Sequence, residues 1–209
     1  MCVMEKISIV VVLGESKSGK DTFADILADV FGYSKVQMVD DLLDFLEDHY
    51  GLARGQSRCQ TGREYRPNNG DYSIQDIKIA LYELFIVKGL DPQFAIPFLK
   101  RELQKALLYQ RNLALVGVRS HYELKAILDF YHENRESVDL KPILLEREES
   151  INKLSDKKLP LIVKVLDENV GVLVWDNNQD EDTLRQEITF WEVSNNIRRK
   201  REKENVNNI

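Results

Sequence analysis

The residues best suited to chemistry stand together near the start of the chain, in Gly14-Glu15-Ser16-Lys17-Ser18-Gly19-Lys20-Asp21-Thr22. Their spacing fits the G-x-x-x-x-G-K frame of a phosphate-binding loop. Such a loop works because glycine lets backbone N–H groups curl around phosphate oxygens where a side chain would not fit. A helix opening at the lysine adds unpaired N–H donors and a positive dipole end. Gly14, Lys17, Ser18, Gly19, Lys20, Asp21 and Thr22 are therefore expected to hold the phosphates of a nucleotide. Lys20 is the group expected to reach the β- and γ-phosphates. The strict frame places Ser or Thr directly after the lysine, whereas here Asp21 intervenes and Thr22 follows. The competing reading, a glycine turn that binds nothing, sits poorly with an apolar run before the loop and a helical pattern after it.

Positive groups that could meet a second anion come from three places. Arg54, Arg58, Arg63 and Arg66 lie in a stretch punctuated by Gly51, Gly55, Gly62, Pro67 and Gly70, which reads as a long basic loop. A guanidinium fork binds phosphate oxygens in pairs, and Arg63 and Arg66 are favoured because they lead into the next helix. A solvated loop explains them equally well. Arg119 follows the apolar strand Leu113 to Val118, at the strand end where doubly wound sheets bind ligands. Arg147 and Lys153 lie in the charged stretch after the following strand, which by itself reads as mixed charge on a surface helix. Asp176-Asn177-Asn178 closes the last strand and by itself reads as a plain turn. His49, His121 and His132 form no nucleophilic frame with Ser, Cys or Asp.

The elements that must position these groups alternate. Ile7 to Leu13 is a nearly continuous β-branched run, as a strand covered on both faces requires. Phe23, Ile26, Leu27, Val30 and Phe31 recur at helical spacing until Gly32. A short strand over Val36 to Val39 is followed by a helix with Leu42, Leu43, Phe45 and Leu46 on one side. Asp40, Asp41, Asp44, Glu47 and Asp48 are its expected solvated face. Helices follow from Ile74 to near Gly89 and from Phe94 to Leu107, the second entered through Asp91-Pro92. Then come strand Leu113 to Val118, helix Tyr122 to Tyr131, strand Pro142 to Leu145, strand Gly171 to Trp175 and helix Asp182 to Val193. Strands alternating with helices predict a parallel sheet covered on both faces. The charged stretch from Ile197 reads as an extended or frayed helical tail.

With 209 residues and 43% apolar content, the chain can build one domain with its own core. A net charge of -6 does not suggest a nucleic-acid binder. Two cysteines, Cys2 and Cys59, make no disulfide framework. No apolar run reaches membrane-spanning length. A cytoplasmic protein is expected, with no membrane or nucleic-acid partner and with a homodimer left open.

Lys17 to Thr22 resembles the loop of bacteriophage-type deoxynucleoside monophosphate kinases, and also that of animal-type phosphomevalonate kinases. Further stretches are similar to the former: Tyr72 to Ile77 on to Leu103, Leu115-Val116-Gly117-Val118-Arg119 with Glu123, and Val172 to Asn177 with Leu184. The resemblance implies a P-loop NTPase-type three-layer α/β/α fold with a five-stranded parallel sheet over residues 1–196. It also implies an acceptor-side insert near 51–110 and a short lid near 147–160 with Arg147 and Lys153 as its basic candidates; by its composition, 197–209 is a charged tail, helical or disordered. It implies phosphoryl transfer from ATP with Mg²⁺ to a small-molecule (deoxy)nucleoside monophosphate. Lys20, Arg119 and Arg147 would be catalytic, Arg63, Arg66 and Arg119 would bind the acceptor, Asn177 would contact the nucleotide, and Thr22 would meet Mg²⁺ through the phosphates. Three departures stand against it. Gly117 occupies the place of an acidic residue, Asp40 to Leu43 replace a lysine after the second strand, and Gln75 and Asp76 stand where an arginine is expected. The alternatives are a nucleotide-binding protein without transfer and a kinase for a non-nucleotide acceptor.

Overall fold

The computed structural model describes residues 6–67, 70–87, 90–91, 93–148 and 158–206, without the side chains of residues 41, 58, 60, 86, 87 and 196–206. Ile7–Gly14 (β1) is buried at every position. It pairs in parallel with Leu113–Val116 (β3) on one side and Val138–Glu146 (β4) on the other. Ser34–Gln37 (β2) extends the sheet beyond β3, and Leu173–Asp176 (β5) beyond β4. The result is a five-stranded parallel sheet in the order β2-β3-β1-β4-β5.

Alternation along β1 sends Ile7, Ile9, Val11 and Leu13 to one face and Val10 and Val12 to the other. The first set packs under Ile96–Leu108 (α5), His121–Glu133 (α6) and Leu159–Val170 (α7), through Leu99, Leu103, Ile127, Ile162 and Leu166. The second packs under Lys20–Phe31 (α1) and Glu181–Val206 (α8), through Phe23, Ile26, Leu27, Leu184 and Ile188. The fold is thus a three-layer α/β/α sandwich, the architecture expected from the alternation of elements. Between β2 and α5 the chain leaves the sheet. Asp40–Tyr50 (α2) and Ile74–Tyr82 (α4) enclose a small core of Leu42, Leu46 and Ile74, linked by the short helix Gln60–Glu64 (α3).

Several local expectations are corrected. Glu47 does not belong to a solvated face: it is 0% exposed. Its carboxylate accepts the Gly55 N–H at 2.9 Å, the Ser57 N–H at 2.9 Å and the Ser57 hydroxyl at 2.5 Å. A buried carboxylate with three donors is stable where a bare one is not, and it fastens part of the stretch that reads as a loose loop. Phe45, expected on the apolar side, is 55% exposed and stacks on His49. α7 has no counterpart among the expected elements. Its signals are Pro160 in the first turn and Ile162 and Leu166 four residues apart. α8 runs through Val206, so the charged stretch from Ile197 continues the helix. Among the described residues no helix is long and apolar enough to cross a membrane.

Candidate functional site

The connection from β3 to β4 crosses β1, so the strand order reverses around the central strand. Open parallel sheets bind ligands in the crevice at the carboxyl ends of their strands at such a point. The loop leaving β1 here is Gly14 to Gly19, and it enters α1 directly. Gly14 has φ +143, and a Cβ on it would collide with Ser18 Oγ and lie 2.6 Å from the Leu145 carbonyl oxygen. Only glycine lets the loop start this close to β4. Lys17 and Gly19 also have positive φ, +68 and +89. A non-glycine residue held there stores local strain of the kind found at functional loops. The first N–H groups of α1 have no acceptor within the helix, and its dipole places positive potential at the same point.

Lys20 lies in this loop with its Nζ on the Glu15 carbonyl and 3.4 Å from Ser18 Oγ. Asp21 turns outward: its carboxylate accepts Gln37 Nε2 at 2.5 Å and pairs with Lys35 at 3.3 Å. These contacts tie α1 to β2, and Thr22 is partly buried in the first helical turn. Asn177 is 3% exposed, and its Nδ2 donates to the Ser18 carbonyl at 2.7 Å. It thereby ties the turn after β5 to the loop at Ser18.

Gly14, Lys20, Gly117, Arg119, Leu159 and Ile162 line one crevice at this edge. Lys20 and Arg119, far apart in sequence, are thus brought to the same crevice. The guanidinium of Arg119 lies over the Tyr82 ring, 5.6 Å from its centroid, which joins the crevice to α4. Gly117 has φ +86, and a Cβ placed on it would meet only open space. Backbone conformation, not lack of room, is what glycine supplies there.

Arg147 and Glu15 line a neighbouring cleft with Glu146, Asp176 and Asn178, and Leu159 at the start of α7 borders both clefts. Lys153 lies outside the described residues. Arg63 and Arg66 line a separate groove with Glu64, Ser73 and Gln75, apart from Lys20 and Arg119. Arg54 pairs with Asp44 at 3.2 Å on α2, and the Arg58 side chain lies outside the described residues.

No family model and no curated protein matches the sequence. Solved structures similar to the chain include a shikimate kinase from Aquifex aeolicus, at 15% identity and TM-score 0.48, covering 90% of this chain and 98% of that one. A gluconokinase from Sinorhizobium meliloti is similar at 11% identity and TM-score 0.46, covering 94% of this chain and 98% of that one. The fold is of the P-loop type on its own evidence, a strand, a glycine loop and a helix at the sheet's reversal point.

Beside that loop, Glu123 governs the turn that carries Arg119. Its Oε2 accepts the backbone N–H of Arg119 at 2.7 Å and of Ser120 at 2.9 Å, while Ser120 Oγ accepts the Glu123 N–H at 3.1 Å. This reciprocal cap starts α6 and turns the chain out of β3. Burial pushes the Glu123 carboxyl above the ordinary range, opposed by the N–H groups of Arg119 and Ser120, the Ser120 hydroxyl and the Arg119 charge. Sequence pattern shows the Ser120-x-x-Glu123 spacing; the burial of Glu123 is a tertiary fact.

Proposed function

We propose that the protein transfers the γ-phosphoryl group of ATP to a small phosphorylated acceptor of the (deoxy)nucleoside monophosphate class. The observation that carries this reading is that Gly14 and Lys20 of the loop and Arg119 after β3 meet at one crevice of the sheet edge. Phosphoryl transfer asks a protein mainly for positioning and charge neutralisation. The loop amides and the α1 N-terminus would cradle the donor phosphates. Lys20 would exchange its contacts with Glu15 and Ser18 for phosphate oxygens. Arg119 faces the same space and would hold the acceptor phosphate. Mg²⁺ would arrive with ATP and neutralise charge on the phosphates, with Thr22 the motif hydroxyl proposed to meet it through them. Arg147, in the adjoining cleft, is the candidate to cover them.

A release assay for ADP over a panel of nucleoside monophosphates and phosphorylated alcohols tests the reading. Turnover with a monophosphate, reduced at least 100-fold in Lys20→Ala, is the expected result, about 2.7 kcal/mol of lost stabilisation. Absence of turnover across the panel, together with unchanged ATP binding in Lys20→Ala, overturns it. Gly117 and the separation of Arg63 and Arg66 from the crevice support a second reading, nucleotide binding without transfer. Tight ATP binding that depends on Lys20, with no turnover on any acceptor, would select that one.

A further inference from the structure

The carbonyls of a phosphate loop must point away from the ligand for its N–H groups to point toward it. A carbonyl turned away still needs a donor if it is buried. Ser18 is fully buried, and the donor its carbonyl finds is the amide of Asn177, from the turn after β5. The fit is close: a Cβ on Gly19 would collide with Asn177 Nδ2. The same turn is fixed from its other side. The Asn177 N–H donates to the Glu146 carbonyl at 2.8 Å, and the Glu148 N–H donates to Asn178 Oδ1 at 2.9 Å. Asp176 Oδ1 in turn accepts from the Asn178 N–H at 3.1 Å and from its Nδ2 at 2.7 Å.

We propose that Asn177 is the positioning residue of the phosphate loop, holding the Ser18 carbonyl outward and linking the loop to the Glu146 to Glu148 segment that carries Arg147. It touches no phosphate itself. Its amide sets the peptide between Ser18 and Gly19, whose N–H, across a trans peptide, points opposite to the Ser18 carbonyl. Phosphate binding at the loop and the setting of Arg147 are then two outputs of one turn. The inference rests on the loop binding nucleotide phosphates, and not on the transfer of one.

The test is nucleotide affinity in Asn177→Ser and Asn177→Asp, read by calorimetry with ATP, ADP and AMP. Asn177→Ser shortens the side chain and leaves the Ser18 carbonyl without its donor. It should weaken ATP and ADP about tenfold, about 1.4 kcal/mol, with AMP affected less than twofold. Asn177→Asp sets an acceptor against the carbonyl and a negative charge behind the loop, and should weaken ATP more than the serine variant does. If the aspartate variant fails to fold, the serine variant decides alone. Amide exchange supplies a readout that a purely structural role would not move. ATP should slow exchange at Glu148 in the parent protein and fail to do so in Asn177→Ser. ATP affinity within twofold of the parent in a folded Asn177→Ser, or equal weakening of all three nucleotides, overturns the proposal. Should no acceptor ever be phosphorylated while these affinities shift as stated, the kinase reading fails and this one stands.

Discussion

Glu123 shows how much of the site depends on one side chain that never enters the crevice. Its carboxyl organises the Arg119 turn against the cost of its own burial, which raises its pKa from the ordinary 4.5. A raised folded-state value means that the protonated form suits the site better. Its contribution to stability is therefore complete below 4.5 and is lost as pH rises through the folded value. Glu123→Gln keeps an oxygen for the Arg119 and Ser120 N–H groups but cannot ionise. Urea midpoints measured from acid to neutral pH should show the glutamine variant gaining on the parent as pH rises above 4.5. Parallel profiles would show that the carboxyl stays matched in both states. Glu123→Ala removes the cap altogether and should cost about 1 to 2 kcal/mol at acid pH, where the carboxyl's contribution is complete, and less as pH rises. With it the acceptor's KM should rise while ATP affinity holds, because Arg119 is released and the phosphate loop is not.

At the scale of elements, the parts legible in the sequence are those whose signals are local. The β-branched run of β1, the glycine frame after it and the Phe23, Ile26, Leu27 spacing of α1 each follow from a few adjacent residues, and together they locate the strand, loop and helix of the candidate site. Arg119 at the end of β3 is legible for the same reason. Glu47 and Asn177 are not, because their roles are set by partners brought in by the fold: Gly55 and Ser57 for one, Ser18 for the other. α7 is obscured by its own composition, since Leu159 to Val165 is rich in branched apolar residues with little period. α8 hides a similar tertiary device. Lys141 on β4 lies 3.5 Å from Glu192 Oε2 and 4.9 Å from the Trp191 ring centroid, and Tyr33 donates to Glu192 Oε1 at 2.9 Å. The side chains of Lys141 and Glu192 are only 13% and 3% exposed. Removing one partner of such a pair leaves a buried charge uncompensated, so Lys141→Met should cost about 3 to 5 kcal/mol. Adding Glu192→Gln to it should recover a large part of that loss. A single variant with a denaturation midpoint like the parent's would show that water already compensates Glu192.

Over the whole molecule, a net charge of -6 has to coexist with the polyanion binding proposed for the crevice. The two are reconciled by distance. Positive potential is gathered at the N-terminus of α1, Lys20 and Arg119, while the acidic excess is spread over helices such as α2. At about 0.1 M salt the screening length is about 10 Å, so an approaching nucleotide senses mainly the crevice; at about 0.01 M it is about 30 Å, and the whole surface is felt. The ATP association rate should therefore rise as salt increases from about 0.01 to about 0.1 M, the opposite of a site served by long-range attraction. Stopped-flow binding with a fluorescent ATP analogue measures this directly, and Lys20→Ala should slow association most at the higher salt, where the local field dominates. A rate that falls throughout that range would mean that the crevice potential outweighs the acidic surface even at long range. The concentration of positive groups at one sheet edge would then act in steering as well as in holding.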